Sequence, residues 1–227
     1  MTQVSDRLLR LSESATLAMA RMSRELKQQG HDVIALSLGE PDFDTPDFIK
    51  ESAKQAIDNN FSHYTPVPGL IELREAICTK LKRDNHLEYS PENIIVSTGA
   101  KQSIANLCLS LLNPGDEVIL PAPYWVSYFE LVKLGEAKPV VVKSSIENDF
   151  KISPQQLRES ITTKTKMLIF STPCNPSGTV YTQKELEDIA DVLKDFPNVY
   201  MVCDEIYELI NFGIAHYSLA RIESIKE

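Results

Sequence analysis

From Tyr64 onward the chain alternates between short apolar runs and stretches of helical periodicity, and this rhythm constrains its fold more than any other feature. Helical patterns cover 70–83, 102–112, 125–134, 154–160 and 183–194, and apolar runs cover 94–97, 117–120, 139–142, 167–170 and 199–203. Runs this short and this apolar suit strands buried on both faces, and a helix after each strand returns the chain for a parallel neighbour. Turn chemistry such as Asn113-Pro114-Gly115-Asp116 separates the elements. The expected class is α/β, a mostly parallel sheet flanked by helices. Ahead of it, 5–30 reads as one amphipathic helix, with Leu8, Leu9, Leu11, Leu17, Met19, Met22 and Leu26 on its stripe and Gly30 as its stop. A short strand over 33–38, a turn-rich segment from Gly39 to Pro46, and a helix over 47–59 opened by Thr45-Pro46 follow.

Composition removes several function classes. A net charge of −9 argues against a broad basic surface for nucleic acid. No apolar run approaches the roughly 20 residues that span a bilayer. The opening Met1-Thr2-Gln3-Val4-Ser5-Asp6 lacks a basic segment followed by an apolar one, so a cytoplasmic location without a signal peptide is expected. Cys78, Cys108, Cys174 and Cys203 show no C-x-x-C pair, and His31, His63, His86 and His216 have no ligand spacing, so no metal site is expected. The eight glycines never fall as G-x-G-x-x-G, which argues against a dinucleotide-binding oxidoreductase.

In open α/β sheets, ligands sit beyond the carboxyl ends of the strands. After 94–97 comes Thr98-Gly99-Ala100-Lys101, where small residues at a helix start let amides approach a phosphate, although such residues more often serve simple packing. After 167–170 comes Ser171-Thr172-Pro173-Cys174-Asn175-Pro176-Ser177-Gly178, a rigid loop that reads either as a turn or as a holder for a ligand hydroxyl. After 199–203 comes Asp204-Glu205-Ile206-Tyr207, whose aspartate is either a turn cap or a partner for a protonated heterocycle. An anion-binding helix start, a hydroxyl partner and an acid beside a ring nitrogen form the set that pyridoxal phosphate (PLP) requires.

These motifs resemble the fold-type I PLP enzymes, specifically class I aminotransferases and within them the prokaryotic aspartate aminotransferase branch. The likeness runs from about Leu8 to the chain end, and the pair Asn175-Pro176-Ser177-Gly178 and Asp204-Glu205-Ile206-Tyr207 is its most specific part. Ser37-Leu38-Gly39-Glu40-Pro41-Asp42-Phe43, Tyr64-Thr65-Pro66 with Gly69, and Pro123-Tyr124-Trp125 add to it. The resemblance implies an N-terminal arm and part of a small domain over 1–45, and an incomplete PLP-binding large domain over 46–227. It implies that Gly99, Ala100 and Lys101 lie at the cofactor phosphate, Trp125 over the ring, Asn175 and Tyr207 at the ring hydroxyl, and Asp204 at the ring nitrogen. Gly39, Trp125 and Asn175 would meet the substrate, and Tyr64 would reach the phosphate in the other subunit of a homodimer. The implied substrates are an L-amino acid, aspartate above all, and a 2-oxo acid.

One member of the family's machinery has no counterpart here. The Schiff-base lysine follows the aspartate-tyrosine motif by a few dozen residues, and Glu227 is only 23 residues past Asp204. Lys226, in Ser224-Ile225-Lys226-Glu227, has the setting of a surface helix end. The expectation is therefore a C-terminally truncated member that is inactive by itself and prone to aggregate. Other fold-type I chemistries, such as a C–S lyase, share the same cofactor residues and stay open. A non-catalytic regulator would carry a helix-turn-helix in front, and the first 30 residues read as a single helix.

Overall fold

The computed structural model describes residues 4–36 and 38–225. By contact the chain forms two units: one comprises the residues up to Ser12 together with those from Arg74 onward, the other Glu13–Leu73. The division by role expected at 45/46 is not decided by this grouping.

The larger unit holds a four-stranded, all-parallel sheet. Its elements are α1 (Asp6–Leu9), most of α4 (Ile71–Asn85), α5 (Ala100–Leu111), β1 (Glu117–Ala122), α6 (Ser127–Leu134), β2 (Lys138–Lys143), α7 (Pro154–Ser160), β3 (Thr165–Ser171), α8 (Gln183–Leu193) and β4 (Tyr200–Asp204). The strand order is β2-β1-β3-β4. From β1 the chain steps outward to β2, then crosses back over β1 to reach β3. The direction of winding therefore reverses between β1 and β3, the place where open α/β sheets form a ligand crevice.

Alternation along the strands builds two cores, one per face. Val118 and Leu120 of β1 and Met167 and Ile169 of β3 pack with Ile104, Cys108, Tyr128 and Val132 of α5 and α6. Ile119 of β1 and Leu168 and Phe170 of β3 face the other way, onto Leu157 of α7 and Leu186, Ile189 and Leu193 of α8. The helices on this second face begin with capping boxes, Ser153 with Gln156 before α7 and Thr182 with Glu185 before α8. On the first face, α5 and α6 meet closely at Gly135, where a Cβ would lie 2.9 Å from the Cys108 carbonyl oxygen.

The smaller unit carries α2 (Ala15–Gln28) and α3 (Asp47–Asp58). Two expectations fail here. The single helix over 5–30 is broken between α1 and α2: the Ser12 amide donates to Glu130 rather than to a helical carbonyl, and Ser14 restarts the helix as its cap. The expected strand over 33–38 has no strand geometry among its described residues, and Ile34 and Leu36 are exposed. The segment 94–97 of the larger unit is likewise not a strand, since it pairs with no described neighbour. An apolar run reports extended backbone, but a ladder also requires a partner.

Candidate functional site

The carboxyl ends of β1, β3 and β4 carry three of the expected groups. Asp204 is the last residue of β4 and forms a rung with Ser171, the last of β3. The Thr172 amide donates to the Asp204 carbonyl at 3.1 Å, which locks the strand end. Its carboxylate accepts from the Ile206 amide through Oδ1 (3.2 Å) and from the Tyr128 hydroxyl through Oδ2 (2.7 Å). The acid is thus held in one orientation, and each oxygen keeps a further lone pair.

Tyr128 was not legible as a functional residue. It lies on α6 with 1% of its surface exposed and belongs to the core beneath the sheet. Burial, followed by the charge and hydrogen bond of Asp204, pushes its phenol far above the ordinary tyrosine range, so it remains a donor at any working pH. Its ring meets Trp125 edge-on, with centroids 5.5 Å apart. Trp125 in turn lies under the Lys101 ammonium, 4.9 Å from the ring centroid. Lys101 stands in the first turn of α5. A continuous series of contacts therefore runs from the start of α5 through Trp125 and Tyr128 to Asp204.

The start of α5 is shaped for an anion. Gly99 is its N-cap, at φ 85° and ψ 161°, a region essentially reserved for glycine. Having no side chain, it leaves the first helical amides uncapped, and space beside it is open. The Asn175 amide donates to the Tyr207 hydroxyl at 3.3 Å. Asn175 follows β3 in a loop where Thr172-Pro173 and Asn175-Pro176 are cis, and the Cys174 thiol ties this loop to the Pro123 carbonyl after β1 at 3.5 Å. Gly39 and Tyr64 belong to the smaller unit, where both are exposed, and Tyr64 is fully so. Lys226 lies outside the described residues.

The donor set fits a phosphorylated pyridine. It offers an uncapped helix start for the phosphate, a flat aromatic face, an amide–hydroxyl pair for a ring oxygen, and a carboxylate fixed by two donors for a ring nitrogen. Among the described residues, no group of three or more His, Cys, Asp and Glu could hold a metal ion, and no helix is long and apolar enough to cross a membrane.

The fold defines a class: a parallel α/β protein with helices on both faces of its sheet and a switch point between β1 and β3. The chain belongs to the family of class I and II aminotransferases, whose family model matches residues 31–224. The cofactor of this family is pyridoxal 5'-phosphate. A protein of Rickettsia bellii named "Probable aspartate/prephenate aminotransferase" is 51% identical over 223 residues, 98% of this chain and 56% of that protein. The aspartate/prephenate aminotransferase of Cereibacter sphaeroides is 48% identical over 93% of this chain and 53% of its own length. Among solved structures, the aspartate aminotransferase of Thermus thermophilus with maleate superposes with a TM-score of 0.94 at 41% identity, covering 98% of this chain and 58% of that one. That of Rhizobium meliloti gives 0.96 at 36% identity, covering 100% and 57%. The chain thus spans a little over half the length of these relatives.

Proposed function

We propose that the protein to which this chain contributes moves an amino group between an L-amino acid and a 2-oxo acid, with pyridoxal phosphate held at the ends of β1, β3 and β4. The observation that carries this reading is the fixed carboxylate of Asp204, held by Tyr128, three residues ahead of the Tyr207 hydroxyl that accepts from Asn175. The bound cofactor supplies an electron sink for the carbanion left when the substrate loses its α-proton. Asp204 keeps the ring nitrogen protonated, which sustains that sink. Asn175 and Tyr207 hold the ring hydroxyl, Trp125 covers the ring, and the amides at Gly99, Ala100 and Lys101 bind the phosphate.

A dicarboxylic substrate, aspartate above all, is the reading we favour. The Lys101 ammonium rests on the Trp125 face, a cation beside the site available to a second carboxylate. The relatives named above carry aspartate or aspartate/prephenate in their names. Gly39 is assigned to the substrate carboxylate, and Tyr64 to the phosphate of a second copy in a homodimer. Residues 1–45 act as the arm and part of a small domain, 46–227 as the cofactor-binding domain, and the protein works in the cytoplasm. Transamination by these 227 residues alone is expected to be very slow. Lys101, the one lysine in the contact series, stacks on Trp125 rather than standing in the setting of a Schiff-base lysine.

The test has two arms. Pyridoxal phosphate added to the chain should quench the fluorescence of Trp125, the single tryptophan, in a saturable way. The product of the complete reading frame, given L-aspartate and a 2-oxo acid, should yield oxaloacetate and the new amino acid. Ammonia and pyruvate released without an acceptor would instead identify a lyase on the same scaffold.

A further inference from the structure

Beyond Asp204 the chain enters a loop whose apolar side chains do little to hold it. Ile206, Leu209 and Phe212 are 61%, 81% and 99% exposed. Yet this loop must present the Tyr207 hydroxyl to Asn175. Two carboxylates flank Tyr207, and each reaches into a different, well-buried part of the larger unit.

Glu205, two residues before Tyr207, accepts from Ser218 Oγ at 2.9 Å and from the Leu219 amide at 3.1 Å through one oxygen, and pairs with His216 Nε2 at 3.1 Å through the other. Ser218 and Leu219 are each 3% exposed, and Leu219 belongs to the core under α8. Glu208, one residue after Tyr207, accepts from Asn85 Nδ2 at 2.7 Å and pairs with Lys80, while Lys80 also donates to Asn85 Oδ1 at 2.7 Å. These three side chains close a triangle at the end of α4. Burial raises the Glu208 pKa, but the hydrogen bonds from Asn85 and Lys80 outweigh it and hold the carboxyl below its usual range. The segment is thus pinned on both sides of Tyr207 by charge-assisted bonds, while its apolar residues face solvent.

We propose that Glu205 and Glu208 are positioning residues that set the Tyr207 hydroxyl at Asn175, and through it the grip on the ring hydroxyl of the cofactor. The proposal rests on the cofactor reading above. Its chemistry is distinct from that of Asp204, which is already fixed as a strand rung. Glu205 and Glu208 touch no part of the site and act through the backbone on either side of Tyr207.

The test titrates the chain with pyridoxamine 5'-phosphate, which has no aldehyde to label stray lysines and whose absorption overlaps tryptophan emission. Trp125 quenching reports affinity. Glu205→Gln and Glu208→Gln, which keep side-chain shape, should each weaken binding about tenfold, the scale of one lost charge-assisted hydrogen bond. In a Tyr207→Phe background the same two substitutions should add little, because the hydroxyl they position is gone. Glu117→Gln is the control: Glu117 is buried and bonded to Lys138 and Thr162 at the opposite end of the sheet. It should lower the urea midpoint without changing affinity. Two results refute the proposal alone: wild-type affinity in Glu205→Gln and Glu208→Gln, or full additivity with Tyr207→Phe. A wild-type chain without saturable quenching refutes the cofactor reading and the proposal with it.

Discussion

Replacing Tyr128 by Phe isolates one bond. The aromatic ring stays, so the packing of a side chain that is 1% exposed is unchanged, and only the hydroxyl that donates to Asp204 Oδ2 at 2.7 Å is lost. A hydrogen bond to a charged group contributes about 1.5–3 kcal/mol. Asp204 is only partly buried, so water can replace part of the contact, which places the expected loss near the lower end, about 1.5–2 kcal/mol. For a domain of this size that corresponds to a fall in Tm of roughly 3–8 °C. Urea unfolding followed by Trp125 emission, at concentrations low enough to limit self-association, measures it. Asp204→Asn and the double variant complete a cycle whose coupling energy should account for most of the loss. A Tyr128→Phe chain within about 0.5 kcal/mol of the parent, or a coupling near zero, would show that the bond does not hold Asp204 in place.

Gly135→Ala should cost about 1–3 kcal/mol, because the new Cβ meets the backbone oxygen of Cys108 at 2.9 Å and α5 and α6 must separate; a thermal melt checks it. Gly99→Ala puts a side chain on a backbone at φ 85° and should destabilise by about 1–3 kcal/mol while weakening pyridoxamine phosphate binding in the fluorescence titration. Glu208 has a folded pKa below its unfolded value, so its contribution is fully present above about pH 4.3 and is lost as pH falls through the lower folded value; the urea midpoint of Glu208→Gln should therefore fall less over that acid window than the parent's. With β4 paired on one side only among the described residues, and Ile206, Leu209 and Phe212 exposed beside it, the chain should self-associate as concentration rises, read by light scattering.

What the sequence disclosed depended on whether the relevant physics was local. Helix α7 was readable to the residue because Ser153, Pro154 and Gln156 write its start into four positions. The central strands β1 and β3 were readable because burial on both faces leaves continuous apolar runs, and the outer strands β2 and β4 keep such runs although they are only partly buried. Segments 33–38 and 94–97 look the same by composition, but no local signal names a ladder partner, and none is present among the described residues. The site follows the same division. Asp204 ends β4, Asn175 lies in the loop after β3 and Gly99 caps α5, places where position along the chain already hints at a role. Tyr128 reads as one more core residue of α6, which it is, while its hydroxyl serves an acid 76 residues away. Glu205 sits inside a recognisable motif and Glu208 directly after it, yet their partners at Ser218, Leu219, Lys80 and Asn85 emerge only from the folded chain.

The rung between Ser171 and Asp204 works as a length gauge. Insert one residue into β4 and the carboxylate swings to the opposite side of the pleat, onto the layer of α7 and α8. Insert two and its facing is restored, but it travels about 6.6 Å past the end of its neighbour, beyond reach of a phenol anchored in a helix. Change in such a protein should therefore accumulate in the connections, while the count of residues from Tyr200 to Asp204 stays constant.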